Sequence, residues 1–131
     1  MAATFNLQVI TPERYLLDED VESLVVPAVG GYLGVLANHA PLIAGLEPGL
    51  VKYRQGGDNK YFVISGGFIE VSCNNATVLA NTAEKPGEID KTRAEAAKER
   101  AVKRLSLREP GTDIARAELA LKKAVARLKV T

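Results

Sequence analysis

The sequence predicts an α+β protein, in which an N-terminal antiparallel β-sandwich is followed by a C-terminal antiparallel helical hairpin. Up to about residue 84, short apolar runs alternate with turns rich in Gly, Pro and Asn, a pattern typical of closely spaced antiparallel strands. From Asp90 onward, apolar residues recur at helical spacing instead. We therefore assign residues 1–84 to the strands, 85–89 to a linker and 90–131 to the hairpin. For the strands alone, a barrel fits the pattern as well as a sandwich.

Turn signals and alternation divide the first part of the chain into strands. Residues 4–11 alternate apolar and polar side chains, which indicates a half-buried strand. Gln55-Gly56-Gly57-Asp58 is a strong hairpin signal. We expect a solvated turn at residues 18–20 and a break in the chain at residues 65–67. The other strands are predicted at residues 14–18, 21–27, 32–37, 42–46, 49–54, 59–65, 68–71 and 76–80.

Two helices follow the Pro86-Gly87 break. Asp90 is placed to cap the first helix, and Thr112 or Asp113 begins the second. Their shared apolar stripe is rich in alanine, so it buries little area at roughly 25 cal/mol per Å². We therefore expect the hairpin to depend on contacts outside itself and to be able to open.

Charge divides along the same boundary. Residues 1–89 hold five Lys/Arg and ten Asp/Glu, whereas residues 90–131 hold twelve and six, although the whole chain carries only +1. A basic helical segment indicates either an acidic partner, such as a protein or a polyphosphate, or simply a solvated helical surface.

No pattern of an independent enzyme is present in the sequence. The chain lacks a phosphate-binding P-loop and a dinucleotide fingerprint. With His39 as its single histidine and Cys73 as its single cysteine, it has no multi-histidine or cysteine-cluster metal site and no internal disulfide. The strands also lack the interleaved basic and aromatic residues expected for nucleic-acid binding. We predict no catalytic residue, no metal and no required cofactor.

Four ordered motifs show a resemblance to a known family: Gly34-Val35-Leu36-Ala37-Asn38-His39-Ala40-Pro41-Leu42, Ser65-Gly66-Gly67-Phe68-Ile69-Glu70-Val71, Thr77-Val78-Leu79-Ala80 and Ile89-Asp90-Lys91-Thr92-Arg93-Ala94. With the basic, alanine-rich hairpin, they resemble the epsilon subunit of a bacterial-type F-type ATP synthase over nearly the whole chain. The sequence departs from the family at Ala37-Asn38, where proline and then glycine or asparagine are frequent.

This resemblance implies a ten-stranded sandwich on the rotating central stalk, in contact with the gamma subunit and the membrane c-ring. It also implies that the helices brake ATP hydrolysis when extended toward the alpha/beta catalytic head and release it when folded on the sandwich. The c-ring contact would involve Tyr32, Asn38, His39, Ala40, Pro41 and Leu42. Since the sequence begins without a signal-peptide pattern, we expect a peripheral subunit on the cytoplasmic face of a bacterial plasma membrane, held there through its partners.

The resemblance makes the helical hairpin a regulatory arm, and it implies two groups of side chains for the work of this arm. Docking on an acidic head surface would use Arg116, Lys122, Lys123 and Arg127. The motif beginning at Ile89 also resembles the ATP-binding signature of thermophilic-type members, in which ATP is a regulatory ligand and not a substrate. Its residues here would be Glu84, Ile89, Asp90, Arg93, Ala94, Arg100, Lys123 and Arg127, with Lys123 where arginine is usual.

The bland interpretation of the signature is that Asp90 only caps a helix and Arg93 is a surface charge. The competing function is a free-standing sandwich adaptor whose basic helical arm binds another acidic protein.

Overall fold

A computed structural model describes residues 3–130, so Met1, Ala2 and Thr131, at the ends of the predicted sandwich and hairpin, lie outside the described residues. The strands are β1 Phe5–Ile10, β2 Tyr15–Val21, β3 Ser23–Ala28, β4 Gly31–Leu36, β5 Leu42–Gln55, β6 Asp58–Ser72, β7 Asn75–Ala80 and β8 Ala83–Glu84. A short 3₁₀ turn, Pro86–Glu88, leads to α1 Lys91–Leu107 and α2 Ile114–Leu128.

The strands hydrogen-bond in the order β2-β1-β7-β6-β5-β3-β4, with β8 also paired to β6. The pairs are antiparallel except β1 with β7, which is parallel. A parallel pair needs a long connection, and most of the other strands form it here. The two ends of this order close over one core, because Leu17 of β2 and Val35 of β4 belong to the same buried cluster as Phe62 and Ile69 of β6. The predicted sandwich followed by helices is therefore confirmed.

The described sheet has eight strands, slightly fewer than the ten that the resemblance implies. Of the nine runs predicted from the residues, four merge into two long bent strands, and β8 was not predicted. The predicted runs at residues 42–46 and 49–54 are both parts of β5, and those at residues 59–65 and 68–71 are both parts of β6. Leu46 pairs with Gly67 and Pro48 with Ser65 on either side of the bend. Gly66 and Gly67 have φ of 111° and 144°, values that favour glycine.

The turn predicted at residues 18–20 is wrong, since these residues belong to β2. β2 lies at one end of the strand order, and Asp18, Glu19 and Asp20 are all exposed there, so their carboxylates remain hydrated within a strand. Asn6 Nδ2 of β1 also donates to Asp18 Oδ1 at 2.9 Å. Acidic composition alone therefore did not indicate a turn.

An aspartate caps the N-terminus of each α-helix. Asp90 Oδ1 accepts from the Arg93 backbone N–H at 3.0 Å, and Asp113 Oδ1 accepts from the Arg116 backbone N–H at 3.0 Å. α2 packs against α1 on one side and against β5 and β6 on the other, so α2 lies between α1 and the sandwich. In the part of the chain that is described, neither helix is long and apolar enough to cross a membrane.

The buried residues of the two helices are all alanines. They are Ala94 and Ala101 of α1 and Ala117, Ala124 and Ala126 of α2. Such small side chains allow close approach but contribute little apolar area.

Candidate functional site

A cleft of about 360 Å³ lies where β8, the linker and the two helices meet. It is lined by Glu84, Glu88, Asp90, Arg93, Ala94, Ala97, Arg100 and Arg127. Six of the eight residues predicted for nucleotide binding are among them. The other two, Ile89 and Lys123, do not line the cleft, although both belong to the elements around it.

The α1 side of the cleft follows from helical spacing. Arg93, Ala97 and Arg100 are four and three residues apart, so they share one face of the helix. Alanine at the middle position leaves open space between the two guanidinium groups. Because Asp90 satisfies the Arg93 backbone N–H, the first turn of α1 is fixed at the mouth of the cleft.

Three carboxylates and three guanidinium groups surround this space, and they are engaged to different degrees. Arg127 Nε of α2 donates to Glu84 Oε1 of β8 at 2.7 Å. The side chains of Arg93 and Arg100, in contrast, make no hydrogen bond or ion pair within residues 3–130. These two guanidinium groups are available to an anionic ligand, and a planar guanidinium can bind phosphate in a bidentate manner.

Arg14, which the sequence did not identify, fixes the third carboxylate. Arg14 Nη1 and Nη2 donate to Glu88 Oε2 and Oε1 at 2.8 and 2.9 Å, and Nη2 also donates to the Ala83 carbonyl at 3.0 Å. The hydrogen bonds from Arg14, and next the one from the Lys85 backbone, lower the pKa of Glu88 from 4.5 to about 2. The two residues lie 74 positions apart, and nothing in the sequence pattern links them.

The predicted c-ring-facing residues divide into two places. Asn38, His39, Ala40 and Pro41 form the connection between β4 and β5, and Leu42 begins β5. Tyr32 lies near the opposite end of β4. It is four residues from Leu36, which is about 13 Å along the strand at 3.3 Å per residue. Tyr32 lines a separate groove between the sandwich and the C-terminal half of α2.

The connection between β4 and β5 is held by the turn that joins β6 to β7. Asn38 adopts a left-handed conformation with φ of 63°, and its backbone N–H donates to Asn74 Oδ1 at 2.8 Å. Asn74 Nδ2 in turn donates to the Thr4 carbonyl at 3.0 Å. His39 Nδ1 lies 2.7 Å from its neighbour's carbonyl, Ala40 O. His39 is therefore a loop residue.

An exposed apolar patch, which the sequence pattern did not indicate, covers the outer face of β5, β6 and β7. Phe68 pairs directly with Leu79 across the strands and also faces Gly45. Ile43 lies two residues from Gly45 on the same face, and Val29 packs over Gly45. Val29, Ile43, Phe68 and Leu79 are 70%, 76%, 60% and 47% exposed. A contiguous apolar surface of this kind indicates a protein interface.

The four cations predicted to dock on the catalytic head all lie on α2, but two of them contact the sandwich. Arg127 binds Glu84, and Lys122 Nζ lies 3.7 Å from Glu47 Oε1 of β5. Arg116 is exposed in the first turn of α2, and Lys123 is half-buried.

Comparison with known proteins identifies the family. The chain matches the family models for the beta-sandwich domain of the ATP synthase delta/epsilon chain over residues 4–86 and for its long alpha-helix domain over residues 88–131. The chain belongs to the ATP synthase delta/epsilon family.

Relatives and solved structures agree with this assignment. The chain is 52% identical to the ATP synthase epsilon chain of Desulfitobacterium hafniense, covering 98% of this chain and 96% of that one. It is 49% identical to that of Moorella thermoacetica, covering 97% and 96%. A chain of the Euglena gracilis mitochondrial ATP synthase OSCP/F1/c-ring structure superposes with a TM-score of 0.84 at 26% identity, covering 98% and 81%.

Membership of the ATP synthase delta/epsilon family confirms the resemblance found in the sequence. It also confirms the prediction of a non-catalytic stalk subunit over that of an independent enzyme. In this family the helical segment forms its own domain, so the contacts of α2 with the sandwich bear directly on what the subunit does.

Proposed function

We propose that this chain is a central-stalk subunit that links the gamma subunit to the c-ring and inhibits ATP hydrolysis through its two helices. The observation that carries the proposal is the way in which α2 is held against the sandwich. Its buried residues are alanines, which contribute little apolar area, and two of its cations pair with Glu47 and Glu84 of the sandwich. An element held in this way has a resting place that it can leave.

Two surfaces of the sandwich suit the rotor. The apolar patch around Phe68 fits the gamma subunit, because a permanent partner would bury side chains that are otherwise left in water. The connection of Asn38, His39, Ala40 and Pro41, fixed by Asn74, supplies a defined polar surface for the c-ring. Such a subunit would be peripheral at the cytoplasmic face of a bacterial plasma membrane, through the complex alone.

The arm would exchange one set of carboxylates for another. In the folded arrangement Arg127 and Lys122 neutralise Glu84 and Glu47. When the arm is extended, the same cations, with Arg116 and Lys123, would meet acidic groups of the alpha/beta catalytic head. Exposed ion pairs contribute only about 0.2–1 kcal/mol each, so a modest ligand effect is enough to shift this equilibrium.

The cleft beside α1 supplies that ligand site, and we propose ATP as its regulatory ligand. Arg93 and Arg100 would bind the phosphates, because both side chains are unengaged and lie on one helix face. Lys123 lies outside the cleft, so the lysine at this position costs no bidentate phosphate contact. ATP binding to the folded arrangement alone would stabilise it by mass action.

Calorimetric titration of the isolated chain with ATP tests the ligand. We expect binding by the natural chain and its loss in the Arg93→Ala, Arg100→Ala double variant. Arg104→Ala is the matched control, since Arg104 is exposed on α1 but does not line the cleft. Absence of heat with millimolar ATP would remove the ligand from the proposal.

Reconstitution with the catalytic head tests inhibition. Reversing the charge of Arg116, Lys122, Lys123 and Arg127 should abolish inhibition, whereas reversing Lys91, Lys98, Lys103 and Arg104 on α1 should leave it. Unchanged inhibition in the first variant would contradict arm docking. Failure to co-purify with gamma and the c-ring would instead favour the free-standing adaptor.

A further inference from the structure

The linker between sandwich and hairpin is fastened to the opposite end of the chain by Arg14. Arg14 and Glu88 each lie in a turn that is closed by local hydrogen bonds. Thr11 Oγ1 accepts from the Arg14 backbone N–H at 3.1 Å, and the Thr11 N–H donates to the Arg14 carbonyl at 2.9 Å. On the linker, Glu88 Oε1 accepts from the Lys85 backbone N–H at 2.9 Å, and the Glu88 N–H donates to the Lys85 carbonyl at 2.9 Å.

A bidentate contact between two such turns restricts the path of the chain into α1. Glu88 is followed within two residues by Asp90, whose side chain caps the helix. The orientation of the first turn of α1, and with it that of Arg93, therefore depends on where the linker is held. Arg14 itself does not line the cleft, so any effect it has on a ligand there acts through Glu88.

The same contact sets the charge of the cleft. Of the three carboxylates that line it, Glu84 is paired with Arg127 and Asp90 accepts from the helix N-terminus. Glu88 is neutralised from outside by Arg14. Arg93 and Arg100 are thus left to an anion without a nearby uncompensated carboxylate from the linker.

We infer that Arg14 is a positioning residue for the polyphosphate site: it holds the linker so that α1 presents Arg93 and Arg100 to the ligand. This inference rests on the proposed nucleotide function of the cleft. Loss of Arg14 should lower ATP affinity by up to about five-fold, the upper end of the range for one exposed ion pair, and should loosen the linker even without ligand.

The test combines hydrogen exchange with calorimetry on Arg14→Gln and Glu88→Gln. Without ATP, both variants should exchange the backbone amides of Lys85, Glu88 and Ile89 about three- to ten-fold faster, on the scale of a lost contact of about 1 kcal/mol. With ATP, both should bind more weakly. Arg54→Gln is the control, since it removes an ion pair, that of Arg54 with Glu22, in which no residue of the linker or the cleft takes part, and it should change neither result.

The outcomes separate positioning from charge and from the proposed function itself. Weaker binding by Arg14→Gln together with tighter binding by Glu88→Gln would show a charge effect only and would overturn positioning. Unchanged linker exchange in Arg14→Gln would also overturn it, even if the natural chain binds ATP. If the natural chain does not bind ATP but the linker exchange rises as expected, the nucleotide function fails while the fastening of the linker stands.

Discussion

Arg127 on α2 donates to Glu84 on β8 at 2.7 Å, and only 28% and 27% of these two side chains are exposed. This contact ties the last turn of the hairpin to the last strand of the sandwich. Among residues 3–130, the other ion pair between α2 and the sandwich, Lys122 with Glu47, is longer at 3.7 Å and more exposed. Within these residues, one charged contact between α2 and the sandwich is well formed and the other is weak.

Replacing Arg127 by Gln should release α2 locally without unfolding the sandwich. Glu84 would remain partly buried without its partner, so we expect a loss of about 1 kcal/mol in the stability of the docked hairpin. Hydrogen exchange of α2 amides should rise about five-fold, while exchange in β6 stays the same. Lys122→Gln is the control and should cost less than about 0.5 kcal/mol. Equal effects of the two variants would contradict the assignment of Arg127 as the main contact.

Gly67 allows β6 to bend, and Gly67→Ala should destabilise the sandwich by about 2–4 kcal/mol. A methyl group there would clash with the backbone carbonyl of Leu79, and φ of 144° strains any other residue. Gly34→Ala is the control, because open space surrounds Gly34 and its φ is not positive. Chemical denaturation measures both, and similar midpoints would show that β6 does not need glycine at this bend.

The apolar patch gives a prediction about assembly that is separate from stability. Phe68→Ser should leave the unfolding free energy within about 0.5 kcal/mol, because the ring is mostly exposed. It should nevertheless abolish co-purification with the gamma subunit. Tyr15→Ser is the matched control, since Tyr15 is also an exposed aromatic residue but lies on β2, away from the patch. Normal assembly of the Phe68 variant would show that gamma binds elsewhere.

Local signals predicted the local structure well. The hairpin expected around Gly56 and Gly57 joins β5 to β6, and both glycines have positive φ. The cap expected at Asp90 is present, and of the two starts expected for the second helix, Thr112 or Asp113, it is Asp113 that caps it. Capping depends only on a short side chain and a neighbouring backbone N–H. The glycine signal was misleading at Gly67, which bends β6 and does not end it.

Long-range relationships could not be predicted in this way. The pairing of Arg14 with Glu88 depends on the parallel strand order that brings the β1–β2 turn beside the linker. The exposure of Phe68 depends on which face of the bent strand β6 packs against the core. The residues around Phe68 in the sequence resemble those around buried residues. For the cleft, the family signature located most of the lining, whereas physical reasoning from the sequence alone gave only a helix cap.

The pKa of Glu88 predicts how the linker contact responds to acid. In the folded chain this pKa is lowered from 4.5 to about 2, chiefly by the hydrogen bond to Arg14 and then by that of the Lys85 backbone. A lowered carboxyl pKa means that unfolding takes up protons, so the contribution of Glu88 to stability is complete above about pH 4.5. It is lost as the pH falls from there toward 2. Glu13 and Glu84 also face Arg14, so they act on the same guanidinium.

The measurement is the difference in thermal midpoint between the natural chain and Glu88→Gln from pH 2 to pH 6. The difference should be constant above pH 5 and disappear near pH 2, since groups common to both chains cancel. Glu95→Gln, an exposed site on α1, should give a small difference with no comparable loss toward pH 2. A Glu88→Gln difference that does not change with pH would mean that the carboxylate is not held by Arg14 in solution. The linker would then be fixed by its backbone turn alone.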